Sequence, residues 1–182
     1  MRSEQLLSAS TNLFKRKMLD VFLGAEYARS VRTGRPFALV LAGVDRAQAL
    51  DQIAGDEARA RVVGVVAKAI DKHKRAFDLM GHFSPTEVFV VLPDNDGDGA
   101  RGFAERIRRE LGGSKIALPN FEYRVSLSFG YAFFHPVNNL YRDRNELLTQ
   151  AEAALFAAAS SGGNRIVAAA RPPTRSPSNS KS

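Results

Sequence analysis

Apolar residues recur at helical spacing through Phe14, Met18, Val21, Phe22, Ala25 and Ala28, which predicts a helix with one buried stripe. Ser10 or Thr11 stands where it can cap that helix, which should start near Leu13. Gly34-Arg35-Pro36 should end it. The pattern then changes. Phe37 to Val44 is continuously apolar, the mark of a strand covered on both faces. Gly43 is out of place there, because it leaves a gap on one face. From Arg46 to His73 the helical period returns, interrupted around Ala54-Gly55-Asp56. Leu50, Ile53, Val62, Val63, Val66 and Ile70 form its buried side.

The stretch from Arg75 to Pro93 organises the rest. A short strand, Phe77 to Gly81, precedes a breaker at Ser84-Pro85 and a second apolar run, Val88 to Leu92. Such closely spaced runs read as a β-hairpin, tipped by Phe83-Ser84-Pro85-Thr86 and entered through an Arg75-x-x-Asp78 pair. After Pro93, the acidic segment DNDGDG leads into a helix, Ala100 to Leu111, with Phe103, Ile107 and Leu111 on one face. Ile116 to Asn120 suggests a short edge element, and Tyr123 to Phe134 alternates as a strand. A loop from Leu140 to Asn145 precedes a helix, Glu146 to Ala159, with Leu147, Leu148, Ala151, Leu155 and Phe156 inward. Gly162-Gly163 ends it, and Arg165 to Ala169 is a final short strand. The phenylalanines on helices and strands are read as core.

This order predicts an α/β fold, one mixed central β-sheet flanked by helices. Residues 1–12 are a lead-in and residues 13–169 the domain. Residues 170–182 are a basic tail without large apolar side chains, expected to be disordered.

With 182 residues, 45% of them hydrophobic, the chain can bury a proper core. It has no cysteine, which excludes disulfides and thiolate metal sites. No apolar run reaches membrane-spanning length and no signal-peptide core opens the chain, so a soluble, cytoplasmic protein without membrane contact is expected. The net charge of +7 includes Arg171, Arg175 and Lys181 of the tail, so a nucleic-acid surface is not expected.

Several local patterns are set aside. Asp94-x-Asp96-x-Asp98-Gly99 with Glu105 fits the short calcium-loop pattern, but it follows a strand and Pro93 rather than a helix. It reads as a strand-to-helix turn. His73, His82 and His135 show no partner at ligand spacing, and His82 reads as hairpin surface. Lys15-Arg16-Lys17 reads as a solvated basic face, with contact to a dimer mate or an acidic partner as the alternative.

The ordered motifs PFALVLAGVDRAQAL, AGDEARARVV, DLMGHFSPTEVFVVLPD, GARGFAERIRREL, VSLSFGYA and LLTQAEAALFAAASSGGNRI carry a resemblance. From about Thr11 to Ala168 the chain resembles the GGDEF domain of bacterial diguanylate cyclases, which join two GTP molecules into cyclic di-GMP. Those enzymes hold Mg²⁺ with two carboxylates, as a hard cation requires. The resemblance places these at Gly43 and Thr86, with Asp45 and Glu87 nearby but not in their place. The hairpin signature of the family falls on Ser84, Pro85, Thr86, Glu87 and Val88. Proline there removes a donor and adds bulk where the family has glycine. The guanine-reading pair falls on Asp51 and Ala60, and the phosphate-contacting pair on Ala159 and Gly163. The resemblance therefore implies a degenerate domain with no catalytic residues, no metal or other cofactor, and no enzyme activity.

It also implies a retained ligand site. Arg75, Asp78 and Arg106 fall on the family's product-binding surface, where cyclic di-GMP inhibits the enzymes. Arginine can stack on a guanine or fork onto its acceptors, and Asp78 can accept from its N–H groups. The expected function is a cyclic di-GMP receptor that passes its ligand state to an unidentified protein partner, with a homodimer left open. The alternative is a nucleotide-independent scaffold for docking or dimerisation.

Overall fold

The structure, a computed structural model, describes residues 6–8, 11, 13–137 and 141–170. Its elements in order are α1 (Lys17–Thr33), β1 (Phe37–Val44), α2 (Ala47–His73), β2 (Leu79–Ser84), β3 (Glu87–Pro93) and α3 (Gly97–Leu111). They continue with β4 (Lys115–Ala117), β5 (Glu122–Arg124), β6 (Leu127–Phe134), α4 (Arg144–Ser160) and β7 (Ile166–Ala168). The main sheet runs β2-β3-β1-β6-β7, and β4 and β5 form a separate ribbon. Pairing is antiparallel except between β6 and β7. The expected α/β architecture with a mixed, helix-flanked sheet is the one observed.

Strand alternation divides the core. Phe37, Leu39 and Leu41 of β1 join Phe89 and Val91 of β3 against Leu19 and Leu23 of α1 and Leu147, Ala151 and Leu155 of α4. Ala38, Val40 and Ala42, with Val88 and Val90, face Val62, Val66 and Ile70 of α2 and Phe103 and Ile107 of α3. Every residue of β1 is buried, as its unbroken apolar run requires. Gly55 sits within α2 at φ 72° and ψ −173°, which is the interruption read from the sequence. Among the described residues, no helix is long and apolar enough to cross a membrane.

Several expectations are corrected. Helix α1 starts at Lys17, not near Leu13, and Arg16 at its N-cap makes no side-chain cap. Before it, the Phe14 carbonyl accepts from the His82 amide at 2.8 Å, so the lead-in lies along the edge of β2. Gly81 permits this approach, since a Cβ there would meet the Phe14 oxygen at 2.5 Å. The α1 stripe is rotated: Leu19 and Leu23 are buried, whereas Val21, Ala25 and Ala28 are exposed. Ile53, Phe77 and Phe156 are also exposed rather than core. The predicted strand from Tyr123 to Phe134 is two strands, because Val125 turns back to Ser114 and Ser126 turns toward Asp45. Strand β2 begins at Leu79 rather than Phe77, because residues 75–78 form a turn. Ser10 and the tail beyond Ala170 lie outside the described residues.

Candidate functional site

Helix α2 ends where the Lys74 amide bonds back to Ile70, and the chain then makes a tight turn over Arg75-Ala76-Phe77-Asp78. The turn is closed twice. The Asp78 amide donates to the Arg75 carbonyl at 3.1 Å, and the Arg75 amide donates to Asp78 Oδ2 at 2.7 Å. Asp78 therefore holds the backbone of Arg75, not its guanidinium. The side chains of Arg75 and Phe77 are exposed, while Asp78 is only 4% exposed. Its Oδ1 is buried and has no hydrogen-bond partner among the described residues. Burial pushes the Asp78 carboxyl above its ordinary pKa; the Arg75 amide and the charges of Arg75 and Lys74 offset part of that rise.

An acid with a raised native pKa binds its proton more tightly when folded, so stability falls as pH rises from the unfolded pKa through the folded one. Asp78→Asn keeps an acceptor for the Arg75 amide and removes the charge. Urea unfolding across mild acid should show a shallower decline with pH for this variant than for the wild type. Parallel pH profiles would refute a raised Asp78 pKa.

Arg106 lies on the exposed side of α3, with its guanidinium over the Phe103 ring at 5.9 Å. Among the described residues, no hydrogen bond or ion pair joins it to Arg75 or Asp78. His73 meets Glu110 of α3 at 2.5 Å and ties the end of α2 to its neighbour. The acidic loop after β3 is used structurally, as expected: Asp96 caps α3 through the Gly99 amide. Asp94 bonds to Arg29 and Arg35.

The hairpin closes through a two-residue turn, Pro85-Thr86, with Ser84 opposite Glu87. Ser84 Oγ accepts from the Thr86 amide at 3.3 Å, and the missing N–H of Pro85 falls at a corner. Val88 is buried in β3. Gly43 stands opposite Glu87, and a Cβ at Gly43 would be 3.4 Å from Leu155. A cleft of about 170 Å³ opens there, and Asp45, Thr86, Glu87 and Glu152 are among its lining residues. Glu152 escapes sequence reading, since a lone acid on an apolar helix carries no motif.

Asp45 is fully engaged. Its Oδ1 accepts from Ser128 Oγ at 2.6 Å, and its Oδ2 accepts from Ser126 Oγ and from the Asn164 amide. The alternating serines of VSLSFG are the signal for this network, because they place two hydroxyls on one strand face. Gly163, at φ 72°, lies so close that a Cβ would fall 2.6 Å from Asp45 Oδ2. Among the described residues, no group of three acidic or histidine side chains converges to hold a metal ion.

Comparison with known proteins locates the chain. The family described as "Diguanylate cyclase, GGDEF domain" matches residues 8–165. Diguanylate cyclase DosC of Escherichia coli K12 is 28% identical over 166 residues, covering 91% of this chain and 35% of that protein. The probable diguanylate cyclase DgcT of the same strain is 29% identical over 161 residues, covering 86% of this chain and 34% of that protein. The chain thus spans about a third of the curated relatives it matches. The GGDEF domain of DgcB from Caulobacter crescentus, solved with c-di-GMP, superposes with a TM-score of 0.83 at 22% identity, covering 92% of this chain and 98% of that one. The FimX GGDEF domain of Pseudomonas aeruginosa gives 0.82 at 15% identity, covering 89% and 98%. These findings correct the expectation that the chain is not an enzyme: the family is a cyclase family, and both curated relatives carry that name. Fold, hairpin and a match spanning residues 8–165 agree, and the chain belongs to the GGDEF domain family of diguanylate cyclases.

Proposed function

We propose that this GGDEF domain acts in cyclic di-GMP signalling by binding the dinucleotide at the Arg75–Asp78 turn and passing its ligand state to a protein partner. The observation that carries the reading is the pairing of an exposed Arg75 with a buried Asp78 whose Oδ1 has no partner among the described residues. A buried carboxylate oxygen without a donor is costly, and guanine offers N–H groups that would satisfy it. Arg75 adds a planar cation that can stack on a base or fork onto its acceptors. Arg106 supplies a second exposed cation, for a phosphate or a second guanine. The DgcB domain, similar in fold, was solved with this ligand, which supports the class of molecule.

Calorimetry with cyclic di-GMP tests this. The wild type should give saturable heat, and Arg75→Ala should weaken binding by about tenfold or more, the scale of one lost charged hydrogen bond. Asp78→Asn should also bind less tightly while remaining folded. No heat with the wild type, or equal affinity in all three proteins, would defeat the reading. Incubation with GTP and Mg²⁺, read by chromatography for cyclic di-GMP, measures the family reaction separately.

A further inference from the structure

A glutamate four residues after an arginine stands on the same face of a helix, one turn on, where the two can pair. Arg106 and Glu110 of α3 have this spacing, and of the residues three or four positions from Arg106 only Glu110 is acidic. The two do not meet. Glu110 turns to the end of α2, where its Oε1 accepts from Lys72 Nζ at 3.1 Å and its Oε2 lies 2.5 Å from His73 Nε2. Arg106 turns the other way, back along α3. Its guanidinium lies over Phe103, and Nη1 is 3.6 Å from where a Cβ on Gly102 would stand. Among the described residues, Arg106 makes no hydrogen bond or ion pair.

The other charges around this contact have partners or stand apart. On α3, Glu105 pairs with Arg108 and Arg109. On α2, Lys74 pairs with Asp71, and exposed Lys68 lies one turn before Lys72. In the turn that follows, Asp78 holds the Arg75 amide. After α3, Lys115 pairs with Glu122. The pull on Glu110 therefore comes from α2: hydrogen bonds from His73 first and Lys72 second hold its carboxyl below the ordinary pKa.

We infer, on the ligand reading proposed for the Arg75–Asp78 turn, that Lys72 and His73 are positioning residues: by keeping Glu110 on α2 they leave Arg106 free for the ligand. Glu110 is then an internal competitor of the ligand's phosphate. Histidine is the side chain whose charge changes between about pH 5 and 8. Loss of the His73 proton weakens the hold from α2, and Glu110 swings to Arg106 and occupies its guanidinium. Affinity for the ligand falls as pH rises.

Calorimetry of the full chain with cyclic di-GMP at about pH 6 and about pH 8 tests this. The wild type should bind about twofold to fivefold more weakly at the higher pH, the scale of an exposed ion pair. Glu110→Gln should bind at least as tightly as the wild type at the lower pH and show no matching fall. Asp78 and the ligand are common to both proteins, so the difference between their pH profiles isolates Glu110. His73→Gln should bring the lower-pH affinity down to the wild-type value at the higher pH, and adding Glu110→Gln to it should restore binding. In an Arg106→Ala background, Glu110→Gln should gain nothing. A merely structural clasp between α2 and α3 predicts instead that His73→Gln and Glu110→Gln weaken binding alike. That result in variants that melt normally, or an unchanged fall with pH in Glu110→Gln, would overturn the proposal and leave the ligand site standing. No heat from the wild type at either pH would defeat the ligand site and the proposal with it.

Discussion

Gly130→Ala should destabilise this domain severely, although it adds only one methyl group. Gly130 lies in β6 directly beneath α4, and a Cβ there would sit 2.6 Å from the Ala151 carbonyl oxygen and 2.7 Å from Leu155 Cα. Both are backbone atoms, so no side-chain rotation can relieve the clash. Helix α4 would have to lift from the sheet, separating Ala151 and Leu155 from the Leu39–Leu41 face. Overpacking of this kind costs about 3 kcal/mol where the neighbours are rigid. For a domain of this size that corresponds to a fall of about 10 °C in melting temperature. Calorimetric melting of the variant within a few degrees of the wild type would show that α4 sits less tightly on the sheet than this spacing requires.

The second large effect is expected at Asp45. Its carboxylate joins the end of β1 to the start of β6 and to the loop between α4 and β7. Asp45→Ala would strand the Ser126 and Ser128 hydroxyls and the Asn164 amide, and Ser128 is fully buried. Leaving such groups unpaired costs about 1–3 kcal/mol each where water cannot reach. Ser126 and Asn164 lie nearer the surface, so on that scale the total should be about 3 kcal/mol. Asp45→Asn retains one acceptor oxygen and should lose roughly half as much. Chemical denaturation that ranks wild type above Asn above Ala would support this account. Asn and Ala variants of equal stability would mean that the serines find other partners.

The limits of sequence reading are visible at particular residues. Strand β1 was legible because eight consecutive apolar residues have few other fates, and every one is buried. The break in α2 was legible from Gly55, a glycine between Ala54 and Asp56 that interrupts the helical period. The start of α1 was not, because a helical period in residues 14–18 competed with a backbone bond from His82 that only the folded hairpin supplies. Phe156 satisfies the helical pattern yet is 74% exposed, since periodicity does not say where a helix rolls out of contact. Arg75 and Asp78 stand out in the sequence as a pair, but their link through the Arg75 amide does not. The expectation that the chain is not an enzyme rested on Ser84 and Pro85 in place of the signature glycines and, for the metal carboxylates, on what stands at Gly43 and Thr86. Reading those two positions is blind to acids such as Glu152, which reach the same cleft from a distant helix. Family membership, measured over residues 8–165, weighs more than single positions.

By bonding Phe14 to His82, the lead-in occupies donors and acceptors along an outer strand that another polypeptide could otherwise use for pairing. The next two residues, Lys15 and Arg16, line a cavity of about 480 Å³ beside α2 and the hairpin turn. Guarding the sheet margin and shaping a charged recess are thus mechanically linked in one short stretch. Whatever pulls that stretch away must bare the margin and dismantle the recess in a single movement.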